Sequence, residues 1–154
     1  MRLSGAAYGQ LVADLLVEGQ PVLTAVGGAS MRPFIPDGAV VRLVPLAPEH
    51  PRVGEVVVRR SGAEGRLLCH RLARQSGVRI QTWGDACAEP DDWGEAGETI
   101  GRVEAIQEGE RWRPVVVRSP LRMRWRYVKR HLRRWLGLDG QPNPSPCEPD
   151  TGGS

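Results

Sequence analysis

From residue 21 to residue 118 the chain never sustains an apolar run for long before glycine, proline or a charge stops it. The runs at 21–26, 39–44, 56–60, 66–74, 78–83, 99–107 and 111–118 read as strands with short connections. Such punctuation, with 19 glycines and 13 prolines in 154 residues, favours strands and turns over a helix bundle. The expected fold is mainly β: a small mixed β-barrel or pair of packed sheets, with a helix at each end. The length suits one domain with a modest core.

The first helix is expected over 4–18. Ala7, Leu11 and Leu15 recur at i, i+4, as do Val12 and Leu16, with Ser4 placed to cap the start and Gly19 to end the helix. The second is expected over 120–137, where Leu121, Trp125, Val128, Leu132, Trp135 and Leu136 fall at helical spacing among basic residues, with no acid. The chain thus divides into a β domain with its N-terminal helix (1–118), a basic amphipathic helix (119–138) and a Gly/Pro/Ser/Asp-rich tail (139–154) expected to be disordered.

Chemistry is concentrated at three landmarks. The stretch 27–33, Gly-Gly-Ala-Ser-Met-Arg-Pro, is a bend between two strands. Its glycines allow tight or left-handed backbone, and a serine held there can expose its hydroxyl and leave its amide free. Those are the needs of a nucleophile beside an oxyanion site, though a plain turn has the same composition. The second landmark is Leu-Leu-Cys-His-Arg-Leu at 67–72, and the third runs from Gly84-Asp85 to Asp91-Asp92. Serine, histidine and aspartate therefore follow one another, each at a strand edge, as a Ser-His-Asp set would require. Cys69 and His70 are neighbours on one strand and point to opposite faces, so only one can line a shared pocket.

Arginine narrows the choice of base. Lys129 is the single lysine among 21 basic residues, and it lies in the basic helix. Guanidinium does not give up its proton, so a general base must come from the three histidines, His50, His70 and His131. His50 sits among prolines and charges and reads as a solvated loop residue. Imidazole, with an ordinary pKa near 6.5, is largely neutral at pH 7 and can accept a proton.

Taken together, these residues resemble a known family. "GASMRP…DGAVVRL" resembles the serine box of signal peptidase I and of the self-cleaving SOS-type repressors. "RVGEVVVRR…GRLLCHRL" resembles their next box, with His70 where the bacterial enzymes carry lysine. That exchange is similar to the archaeal and endoplasmic-reticulum branch, which uses Ser-His-Asp, and "TWGDACAEPDDW" and "IGRVEAI" resemble its later boxes. The similarity covers 20–107. It implies a signal peptidase-like catalytic core with Ser30 as nucleophile, His70 as base and Asp92 orienting the histidine, Asp85 being the rival for that last role. The Ser30 amide would serve the oxyanion. Gly28 stands where many relatives carry a helping serine hydroxyl. The implied function is a serine endopeptidase cleaving a peptide or exported precursor. A non-catalytic peptide-binding module of the same fold and a membrane-surface adaptor are the alternatives.

Charge and cysteine usage bear on setting. The net charge is +3, and no window approaches the roughly 18 apolar residues of a spanning helix. Asp14 and Glu18 interrupt the first twenty residues, so no signal peptide or anchor is expected. Three cysteines without framework spacing suit a reducing compartment. The expectation is a soluble cytoplasmic protein, with 120–137 available to dock on the sheet, to lie on an anionic membrane or to grip an acidic peptide. No nucleic-acid partner is expected, because no recognition motif accompanies the charge. Cys69, His70, Asp85 and Cys87 could be drawn as a metal site. The strand splits the first two and no second ligand pair has zinc spacing, so neither metal nor cofactor is expected.

Overall fold

The structure, a computed structural model, describes residues 5–47, 50–61 and 66–138. Helix α1 (Gly5–Val17) is followed by β1 (Val22–Val26), β2 (Ala39–Val44), β3 (Val56–Ser61), β4 (Arg66–Ser76), β5 (Arg79–Trp83), β6 (Gly94–Glu95), a 3₁₀ turn (Ala96–Glu98), β7 (Thr99–Glu108), β8 (Arg111–Pro114) and α2 (Pro120–Trp135). The strands form one sheet in the order β1-β2-β7-β3-β4-β5-β6, with β8 added beside β7. The mainly β fold with a helix at each end matches the sequence, in the form of one sheet antiparallel at every pairing. The expected Ser4 cap and the 139–154 tail lie outside the described residues.

The long strand β7 organises this sheet. It pairs with β2 through 102–106, while its two ends pair with β3 (99–102) and with β8 (105–108). Register shifts at Arg42/Leu43, Val58/Arg59 and Leu72/Arg74 mark irregular pairing, which bends and twists strands locally.

Both faces of the sheet are covered, and β3 shows why its sequence is apolar without alternation. Val56 and Val58 join one core with Val12 and Leu16 of α1, Met31, Ile35, Val41 and Val103. Val57, pointing the other way, joins Leu72 and Ile80. α1 comes close to the sheet because Gly101 has no side chain: a Cβ there would stand 2.9 Å from the Leu16 Cδ1 atom. The Tyr8 hydroxyl also hydrogen-bonds the Thr24 hydroxyl of β1.

α2 docks by a face that the sequence pattern does not suggest. Its buried residues are Met123 and Tyr127, which pack with Ala73, Trp83 and Cys87. Tyr127 meets Trp83 edge-on at 4.9 Å, and the Arg126 guanidinium lies 4.0 Å over the Trp83 ring. Ser119 caps the helix by accepting from the Arg122 amide. The Leu/Trp face of α2, one candidate for docking on the sheet, faces away from it: Trp125, Leu132 and Trp135 are 56%, 53% and 82% exposed. No described helix is long and apolar enough to cross a membrane.

The core assignment is checked by adjacent residues of α1. Leu16→Ala should lower unfolding free energy in urea by about 2–5 kcal/mol. Val17→Ala, at a position 83% exposed, should change it by no more than about 0.5 kcal/mol.

Candidate active site

The serine bend is held by its apolar neighbours. Residues 27–38 connect β1 to β2, and Met31 and Ile35 are buried in the main core. The Phe34 and Ile35 amides donate to the Met31 carbonyl, making a helical turn. Upstream, Gly28 takes φ +100°, which favours glycine, and its amide donates to Asp37 Oδ1 at 2.8 Å. Ser30 is thus fixed between a pinned glycine and a buried methionine. Its side chain stands partly exposed, and among the described residues no backbone hydrogen bond uses its amide.

Across from this bend, β4 presents His70, which is buried. His70 Nε2 lies 2.9 Å from Ser30 Oγ, and Nδ1 lies 2.6 Å from Asp91 Oδ2. A carboxylate only accepts, so Nδ1 is the donor to Asp91 and the neutral ring keeps its Nε2 lone pair for the serine hydroxyl. Asp91 is held in turn. The Thr82 hydroxyl donates to its Oδ2 at 2.5 Å, and the Gln81 amide donates to its carbonyl at 2.9 Å. The Asp91 amide donates to the Thr82 carbonyl, while Tyr127 of α2 donates to Gln81 Oε1.

The carboxylate that meets His70 is therefore neither of the aspartates expected for that place. Asp92 is exposed, and its carbonyl accepts from Arg59 Nη2 at 3.3 Å. Backbone pairing of residue 91 with Thr82 turns the first aspartate of the pair to the histidine, and one step along extended chain reverses the direction of the side chain. Asp85 lies on the wrong side of β4. His70 and Arg71 point to opposite faces, and Asp85 is engaged by Arg71 through Nε at 3.0 Å and Nη2 at 2.8 Å. Arg118 Nη1 adds a contact at 3.0 Å to this carboxylate, which is 0% exposed. Desolvation pulls the Arg126 guanidinium, 3.9 Å from Asp85, down to about 10, with Asp85 opposing; it remains a cation at neutral pH.

Gly84 and Ala86 tie this acid-bearing loop to the serine. The Ala86 amide donates to the Ser30 carbonyl at 2.8 Å. A Cβ on Gly84 would lie 2.4 Å from Cys87 Sγ, 2.8 Å from the Ser30 carbonyl oxygen and 3.0 Å from His70 Nε2. Only glycine lets the loop run this close, a constraint the Gly-Asp pair in the sequence carries without revealing its purpose.

On the other side of Ser30 lies a mainly apolar cavity of about 370 Å³, lined by Tyr8, Val26, Met31, Leu43, Val58 and Cys69 among others. So Cys69 lines the cavity and His70 meets the hydroxyl, as strand alternation requires. Burial pushes the Cys69 thiol up to about 12, so it stays protonated and is a poor rival nucleophile. Cys87 is buried beside Trp83, Met123 and Tyr127.

The other histidines are elsewhere. His131 is exposed on α2, as is Lys129, whose ammonium lies 5.7 Å over the Trp125 ring. His50 is not a solvated loop residue: its side chain is 15% exposed and its Nδ1 is 2.9 Å from Glu55. No group of three or more His, Cys, Asp or Glu among the described residues could hold a metal ion. No family model, curated protein or solved structure matches the chain.

Two measurements check this arrangement. Proton NMR should show a low-field imidazole N–H resonance that Asp91→Ala removes and Asp92→Ala leaves in place. Asp85→Ala, which strands the buried Arg71 guanidinium, should cost about 3–5 kcal/mol of stability in urea unfolding.

Proposed function

We propose that the chain is a serine endopeptidase resembling the Ser-His-Asp branch of signal peptidase I. The observation that carries this reading is the continuous hydrogen-bonded line from Ser30 Oγ through His70 to Asp91. The Ser30 hydroxyl attacks the scissile carbonyl while His70 Nε2 takes its proton. Asp91 holds the ring by Nδ1–H and stabilises the imidazolium that forms. His70 then returns the proton to the leaving amine, and water repeats the cycle to release the acyl group.

The Ser30 amide is the oxyanion donor in this reading. Gly28 supplies no side-chain hydroxyl to help it. Loss of one such donor typically costs about 2.7–4 kcal/mol of transition-state stabilisation, so turnover should be slow compared with an enzyme that has both. The substrate is read as an extended peptide. β1 is a sheet edge, and the apolar cavity opens beside β1 and Ser30, so a strand laid along that edge would put a side chain into the cavity and its carbonyl at the hydroxyl. A peptide or exported precursor fits such a site.

The bare Gly28 also favours a second reading, a peptide-binding module that keeps the fold with little chemistry. The two separate on one pair of variants. For an endopeptidase, a fluorophosphonate probe labels the wild type, Ser30→Ala abolishes labelling, and His70→Ala slows peptide cleavage by at least about 10³-fold. Equal processing by the Ser30→Ala chain would end the peptidase reading. Unchanged peptide affinity in both variants, with no cleavage by the wild type, would establish the binding module.

A further inference from the structure

α2 is attached to the sheet by one side and presents a different surface to solvent. At 3.6 residues per turn, Leu121, Trp125, Val128, Leu132, Trp135 and Leu136 fall within a sector of roughly 100°. All six are more than half exposed. Met123 and Tyr127, which bury the helix, fall on the opposite side of the axis. The apolar sector is therefore not core that happens to be shallow; it points away from the core.

The flanks of that sector are cationic. Arg122, Lys129 and Arg133 border one edge, and Arg124 and His131 the other. The helix contains no acidic residue. A groove of about 800 Å³ along the second edge has Arg74, Arg124, Arg134 and His131 in its walls beside Leu132 and Trp135.

We infer that this outward face of α2 is a docking surface for an anionic phospholipid bilayer. The apolar sector enters the interface between headgroups and acyl chains, where tryptophan is favoured, and the flanking guanidinium groups meet lipid phosphates. Other occupants fit the charge pattern less well. A second copy docked face to face would bring cationic flanks against cationic flanks. Residues 139–154 contain no Leu, Ile, Val, Met, Phe, Trp or Tyr and bring no bulky apolar side chain to cover the sector. A nucleic acid would pair with the arginines but leave the leucines and tryptophans in water.

The docked helix also reaches the candidate site. Arg126 donates to the carbonyls of Gly84 and Cys87 at 2.8 Å, and Tyr127 holds Gln81, which holds Asp91. A bilayer that seats α2 thus seats the element that braces the acid loop.

Vesicle co-sedimentation of the full chain tests the inference, with no need for activity. Phosphatidylcholine vesicles are compared with vesicles in which a quarter of the lipid is phosphatidylglycerol. The expected result is partition to the anionic vesicles with a blue shift of tryptophan emission, weakened by salt. Trp125→Ser/Leu132→Ser should reduce partition at least tenfold, and Arg124→Gln/Lys129→Gln/Arg133→Gln should remove the preference for anionic lipid. Thermal melting should be unchanged in both, since these side chains lie off the buried face. Absence of partition, or equal partition to neutral vesicles, would overturn the inference. So would a dimer in light scattering that the Trp125/Leu132 variant dissolves while wild-type chain ignores vesicles, or binding to RNA in place of lipid.

Discussion

The buried ion pair between Arg71 and Asp85 fixes the loop after β5 against β4. Both side chains are essentially without solvent, at 1% and 0% exposure. Removing two charges from water costs several kcal/mol per ion, and only good geometry and further hydrogen bonds offset it. Both are present. The guanidinium meets the carboxylate with two nitrogens and donates to the carbonyls of Gly54 and Val116. Arg118 completes the carboxylate's partners, and its own amide donates to the Gly54 carbonyl. Gly54 tolerates this crowding because it has no side chain: a Cβ would overlap the Arg118 carbonyl oxygen at 1.7 Å. One aspartate thereby joins β4, the segment after β8 and the loop that follows β5.

That junction sets the geometry of the candidate site one residue away. With Arg71 committed to one face of β4, His70 must look out on the other. With Asp85 anchored, the chain from Gly84 onward is held against Ser30 by the Ala86 amide and returns to β5 at Asp91. Three side chains from separate parts of the sequence converge because a buried charge pair fixes the loop that carries one of them. Asp85 is thus a structural partner to the triad-like line rather than a member of it.

α2 belongs to the same system. Its Arg126 donates to carbonyls of the loop after β5 and its Tyr127 donates to Gln81 of β5, while its apolar sector is left outward. Helical periodicity identifies an amphipathic helix but not the side that packs. Here two residues, Met123 and Tyr127, with arginine stems and cation–π contacts, make the docking face. The more apolar face is the exposed one, so exposed and buried surfaces exchange the roles that hydropathy alone would assign.

What the sequence settles by itself is local. Glycine and proline spacing cuts the chain into strands, a single lysine leaves the histidines as the candidates for a base, and strand alternation separates Cys69 from His70. Each of these follows from φ/ψ limits, from side-chain chemistry or from a period of two, and needs no distant partner. The choice among Asp85, Asp91 and Asp92 is of another kind. It turns on a backbone hydrogen bond between residue 91 and Thr82 and on a buried arginine that claims Asp85. The outward turn of the α2 leucines and tryptophans is likewise decided by which groups the sheet offers for packing. Such outcomes depend on contacts between segments far apart in the chain, and only the folded molecule brings those segments together.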